Sequence, residues 1–89
     1  MNVIYADEFA KRFRDLPSPI QKQFRKQELL FKNNWRDPRL HTKKLKGTPP
    51  IFSFRITRAY RALFFFTETE TVLFATIGHR KDVYKRKSI

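Results

Sequence analysis

Apolar residues recur at helical spacing in the first third of the chain and at strand spacing after Pro50. Phe9, Phe13 and Leu16 fall at i, i+4 and i+7, one face of a helix, with Lys11, Arg12 and Arg14 off that stripe. Asp7 is placed to cap this helix, and Glu8 in its first turn suits the positive end of the dipole. Pro17-Ser18-Pro19 stops the helix and starts another: Ser18 as cap, Pro19 at the first position and Gln21 two residues on form a capping box. Ile20, Phe24, Gln27, Leu30 and Phe31 make the second stripe, which ends at Asn33-Asn34. Two short amphipathic helices around a tight turn predict a helical hairpin.

The period then falls to two. Phe52, Phe54 and Ile56 alternate with Ser53, Arg55 and Thr57, the pattern of a half-buried strand. A turn at Arg58-Ala59 leads to a second strand over Tyr60–Phe66. Thr67–Glu70 turns again, and the β-branched run Thr71–Ile77 is a third strand ended by Gly78. Asn2 to Ala6 predicts a short first strand. Trp35 to Pro50 reads as irregular, docked by Leu40 and Leu45, and His79–Ile89 as a basic tail. The expected architecture is α+β, in the order β-α-α-β-β-β: an antiparallel sheet with the helical hairpin packed on one face, in a single domain spanning residues 1–89. Ser53, Arg55 and Arg61 then lie on the uncovered face beside Leu63 and Phe65, where guanidinium groups form an anion-binding surface.

Composition sharpens that expectation. The formal net charge is +12, and ten of the 89 residues are Phe, which excludes a disordered basic tail. Nine basic and five acidic residues precede position 41, whereas eleven basic and three acidic residues follow it. Charge this dense repels itself, which points to a polyanionic partner. Nucleic acid leads, and an acidic protein or an anionic membrane surface fits the charge as well. There is no cysteine, so neither a disulfide framework nor a thiolate metal site is expected. His41 and His79 do not make a zinc site, which needs three or four ligands. No apolar run is long enough to span a bilayer, and Asp7 and Glu8 stand where a secretory leader would be apolar, so a cytoplasmic protein without membrane attachment is expected.

Three stretches resemble the RelE/ParE toxin superfamily of bacterial toxin–antitoxin modules. They are Asp37-Pro38-Arg39-Leu40 with Lys44-Leu45-Lys46-Gly47, then Phe54-Arg55-Ile56 through Ala59-Tyr60-Arg61-Ala62-Leu63, and finally Ile77-Gly78-His79-Arg80-Lys81-Asp82-Val83-Tyr84. The predicted element order matches as well, so the resemblance spans essentially the whole chain. It implies the RelE/ParE-like fold and one of two activities. RelE-like members are endoribonucleases that cut messenger RNA, many of them in the ribosomal A site. ParE-like members poison DNA gyrase and generally lack the C-terminal His or Tyr. Carrying both His79 and Tyr84, this chain tilts towards a metal-independent endoribonuclease that inhibits translation; gyrase inhibition and non-catalytic RNA binding are the alternatives.

Metal-free RNA cleavage needs an activated 2′-OH, neutralised phosphate charge and a protonated 5′-oxygen. In this reading Arg61 and Arg80 hold phosphoryl oxygens and Arg55 assists, while His79 and Tyr84 handle protons. The family's basic residues at the hairpin positions are preserved at Arg55 but not at Ser53. Lys43, Lys44, Lys46, Lys81, Lys85 and Arg86 are candidates for RNA contacts. No cofactor is implied. The resemblance further implies a cognate antitoxin that neutralises the basic site, mRNA and the ribosome as partners, and operator DNA bound only through the antitoxin.

Overall fold

Strand-forming residues are densest after Ile51, and the centre of the sheet forms there. The computed structural model describes residues 1–45, 47 and 50–85. The elements are β1 (Asn2–Tyr5), α1 (Asp7–Arg14), α2 (Ser18–Asn33), β2 (Lys43–Leu45), β3 (Ile51–Arg55), β4 (Tyr60–Glu68), β5 (Thr71–His79) and α3 (Arg80–Lys85), with a 3₁₀ turn at Pro38–Leu40. Five strands make one sheet in the order β1-β5-β4-β3-β2.

The expected antiparallel meander is β3-β4-β5, and the sheet extends it at both edges. β2 pairs antiparallel with β3 inside the segment read as irregular. Its lysines are poor strand formers, although they suit an edge that must not recruit another chain. β1 joins β5 in parallel, Asn2 opposite Thr71 and Tyr5 opposite Phe74, so the sheet is mixed rather than wholly antiparallel. A parallel neighbour requires a long connection, and here everything from the helical hairpin to β4 intervenes.

Both helices begin at the residue expected to cap them. Ala6 precedes α1 and Pro17 precedes α2, and neither helix start has a side-chain cap bond. Asp7 and Glu8 therefore act together in the first turn of α1, on the dipole. Gln21 does the joining instead: its amide donates to the carbonyls of Phe13 at 2.9 Å and Leu16 at 3.2 Å, tying the start of α2 to the end of α1 and the turn that follows it.

The hairpin packs its aromatic stripe on one face of the sheet. Phe9, Phe24, Phe31, Phe54, Phe64, Phe74 and Ile77 are buried together. Phe31 sits among three other rings, 4.8 Å from Phe64, 5.2 Å from Phe74 and 5.3 Å from Phe54 between centroids. Each such side chain contributes about 1.5–3 kcal/mol of burial free energy. Leu40, at the end of the 3₁₀ turn, is fully buried as expected. The polar member of the second stripe, Gln27, is buried and donates to the Arg55 carbonyl at 2.8 Å and the Arg39 carbonyl at 3.3 Å, tying α2 to β3. No helix among the described residues is long and apolar enough to cross a membrane.

Candidate active site

Strand alternation sends the aromatics to the hairpin and a different set to the opposite face. On that second face Arg55 lies opposite Arg61, and Arg61 opposite Gly78. The next row runs Lys43, Ser53, Leu63, Thr76 across four strands. Lys44 pairs with Phe52 and so belongs to the hairpin face. Register alone thus separates the two adjacent lysines, and only Lys43 of this pair joins the arginine face.

This face is not bare. The chain leaves β5 at His79 and turns into α3, where a basic tail was expected. The Arg80 amide donates to the Ala59 carbonyl at 2.7 Å, and the Lys81 amide donates to His79 Nδ1 at 3.1 Å. Val83 is buried, and the Tyr84 hydroxyl lies 3.2 Å from Ser53 Oγ. Ser53, expected to face solvent, is therefore only 2% exposed. A six-residue helix offers too little periodicity to be read from sequence, and its covering effect was invisible for the same reason.

The two arginines are held differently. Arg61 Nη1 donates to the carbonyls of Thr57 at 2.7 Å, Arg58 at 2.9 Å and Tyr60 at 3.0 Å, folding one arm of the guanidinium onto the β3–β4 turn. Thr57 Oγ1 stiffens that turn by accepting from the amides of Ala59 and Tyr60. Arg55 Nε is buried with no partner among the described residues. Directly opposed like charges destabilise a sheet, and among the described residues no carboxylate forms an ion pair with Arg55, Arg61, Arg80 or Lys43. The arrangement is therefore one that an anion would relieve.

Not all the expected residues meet here. His79 lies opposite Tyr60, with ring centroids 5.6 Å apart and edge-on, and Tyr60 packs on the hairpin side of the sheet. His79 thus stands across the sheet from Arg55, Arg61 and Tyr84, with Nδ1 engaged at the start of α3. Arg80 and Lys81 are exposed on the first turn of α3. Lys85 ends α3, and nothing beyond its backbone is described; Lys46 and Arg86 lie outside the described residues. Arg39 is engaged elsewhere: its side chain and amide bond Asp37 and hold that carboxyl down to about 2. Among the described residues no group of three His, Cys, Asp or Glu converges to hold a metal ion.

Sequence reasoning overlooked Arg12. Its Nη1 donates to the Ile77 carbonyl at 3.3 Å, on the stretch of β5 beyond its pairing with β1. A Cβ on Gly78 would lie 3.0 Å from that nitrogen and 3.4 Å from Val83 Cγ1. Glycine at 78 is what lets α1 and α3 close on the same strand. The available signal was Arg12 standing three residues after Phe9, at the margin of the buried stripe.

No protein-family model and no curated relative matches the chain, so solved structures carry the comparison. It is similar to the RelB-RelE antitoxin-toxin complex from Methanococcus jannaschii, at 25% identity over 94% of this chain and 98% of that one, with a TM-score of 0.76. The isolated E. coli RelE toxin matches at 20% identity over 96% of each chain, TM-score 0.71. The YoeB/ParE toxin from Agrobacterium tumefaciens shares the fold at 12% identity, covering 89% of this chain and 98% of its own, TM-score 0.75.

Proposed function

This chain has the fold of the RelE/ParE toxin superfamily, and from that premise we propose that it is the toxin of a type II toxin–antitoxin pair, an endoribonuclease that cuts mRNA without a metal and so inhibits translation. The observation that carries this reading is the opposed pair Arg55 and Arg61, without an ion-pairing carboxylate among the described residues, on the face where the Tyr84 hydroxyl is seated. Planar forks of this kind match the oxygens of a phosphodiester.

The chemistry follows from the parts. The 2′-oxygen attacks the adjacent phosphorus and loses its proton, the bond from phosphorus to the 5′-oxygen breaks, and that oxygen gains a proton. A 2′,3′-cyclic phosphate and a free 5′-hydroxyl result. Arg55, Arg61 and Arg80 neutralise the charge that grows on the phosphoryl oxygens. Tyr84 exchanges the proton. His79 acts at one remove, holding the start of α3, the helix that carries Arg80 and Tyr84. Lys43 and Lys81, with Lys46, Lys85 and Arg86, track the neighbouring phosphates of the mRNA, and of the ribosome that presents it. Lys44 is assigned to the rim, since its strand position faces the hairpin.

A cognate antitoxin with an acidic segment matches this face by charge, and several similar structures are toxin–antitoxin complexes. Operator DNA is bound through that antitoxin, and the site of action is the cytoplasm, where mRNA is translated. Primer extension on a reporter mRNA in a translation extract tests the reading. Cuts within the reading frame should appear with the natural chain and vanish with Tyr84→Phe and with Arg80→Ala. Uncut mRNA with the natural chain overturns it, and a gyrase supercoiling assay then becomes the next measurement.

A further inference from the structure

Ser53 stands where the resemblance calls for a basic side chain, yet it is buried at the centre of the arginine face. A lysine there would put its charge beneath α3. A serine hydroxyl has one proton and two lone pairs, and at 3.2 Å from the Tyr84 hydroxyl it can hold that phenol in one orientation. That restraint matters because α3 is only six residues long and has a single buried apolar side chain, Val83. Such a helix has no stability of its own, so its contacts set where Tyr84 points.

The charge absent from position 53 is one strand away. Lys43 on β2 is the register partner of Ser53, on the same face, with Cβ atoms about 5 Å apart in such pairs. Lys43 is exposed and has no ion pair among the described residues, so no carboxylate there neutralises its ammonium. Lys44, one residue on, faces the other way.

We propose that Ser53 and Lys43 divide the work of one basic residue: Ser53 is a positioning residue that orients the Tyr84 hydroxyl, and Lys43 supplies the positive charge beside the phosphate being cut. The proposal rests on the endoribonuclease reading, with one difference from it. It moves the cation from the centre of the sheet to its edge strand, and it makes the serine a requirement instead of a loss.

The test is cleavage of a reporter mRNA by the full chain in a translation extract, with kcat and KM separated by varying the mRNA. Ser53→Ala, smaller than serine, should keep the urea midpoint of the natural chain and lower kcat about tenfold with KM within about twofold. Ser53→Cys, of similar size with a weaker donor, should fall between. Lys43→Ala should lower kcat/KM about tenfold, and Lys43→Arg should retain most of the rate. Natural kcat in Ser53→Ala, or a loss confined to KM, overturns the role of Ser53. Full activity in Lys43→Ala overturns that of Lys43. A natural chain that cuts no mRNA overturns the endoribonuclease reading and this proposal with it, whereas cutting that ignores both substitutions overturns this proposal alone.

Discussion

Replacing Arg55 with methionine should make RNA binding measurably less sensitive to salt. The register places Lys43, Arg55 and Arg61 on one face, and Arg80 is exposed at the start of the helix that covers it. On single-stranded RNA these four cations contribute about −2.8 to the slope of log affinity against log salt, at about −0.7 for each phosphate neutralised, and the other basic residues assigned to RNA add to it. Removing Arg55 should therefore make the slope shallower by about 0.7, so that raising KCl from about 50 to about 200 mM weakens binding about 2.6-fold less than in the natural chain. Methionine keeps the apolar stem of Arg55, so the change isolates the charge. The assay is fluorescence anisotropy of a short labelled RNA, in a Tyr84→Phe chain that does not cut it. Lys22→Ala and Lys26→Ala, on exposed positions of α2 across the sheet, are the controls and should leave the slope unchanged. If the two α2 substitutions lower the slope and Arg55→Met does not, RNA binds the other side of the molecule and the site is misplaced.

The same Arg55→Met substitution should raise stability by about 0.5–1 kcal/mol in a urea melt, because it removes a buried Nε without a partner and one of two opposed charges; a loss of stability would show that the arginine pair is not strained. Phe31→Ala should cost about 3–5 kcal/mol, out of a total of about 5–13 kcal/mol for a chain of this length, and a loss below about 1 kcal/mol would contradict the packing described. Burial, followed by the bond to Glu28, pushes the Tyr5 hydroxyl from its usual 10.0 up to about 12. Stability from this phenol is complete below about pH 10 and drains away as pH rises towards about 12, since the unfolded chain loses the proton first. Tyr5 is 38% exposed, which reduces the expected loss to the order of 1 kcal/mol. The gap between the natural chain and Tyr5→Phe in thermal melts should narrow across that range, and a constant gap would refute the assignment.

Both amphipathic helices were legible because each buries one side, and a one-sided burden leaves a period of 3.6 in Phe9, Phe13 and Leu16 and in Phe24, Gln27 and Phe31. The β3–β4–β5 meander was legible for the same reason at a period of two. β2 and α3 were not: three and six residues are too few to display a period. Parallel pairing of β1 was hidden because a strand's sequence does not say which neighbour it will take. The caps moved by one residue, the usual precision of a helix boundary. At the site, Arg55 and Arg61 were correctly assigned to one face because both lie within the regular strands. His79 and Tyr84 were not separable, since the chain switches from strand to helix between them and neither periodicity crosses that switch. Ser53 read as a surface residue, and only the return of α3 buries it.

The sheet keeps two incompatible demands apart. Side chains on its hairpin face form a close-packed core of aromatic and aliphatic residues, and those on its other face include opposed arginines that repel. Strand alternation interleaves the two sets residue by residue, so Phe54 and Arg55 are neighbours in sequence and strangers in space. Because the core is complete without the arginine face, self-repulsion there lowers stability without unfolding the chain. Removing a charge should therefore raise stability while weakening RNA binding, the opposite of what a structural ion pair would do. α3 is the exception to this separation. It is held by the Ala59 carbonyl, His79, Val83 and Ser53, all at the sheet's second face or its end, and no part of the aromatic core grips it. Weak anchoring leaves Tyr84 dependent on those few contacts, so the reactive hydroxyl is more sensitive to a change at Ser53 or Val83 than the fold that carries it.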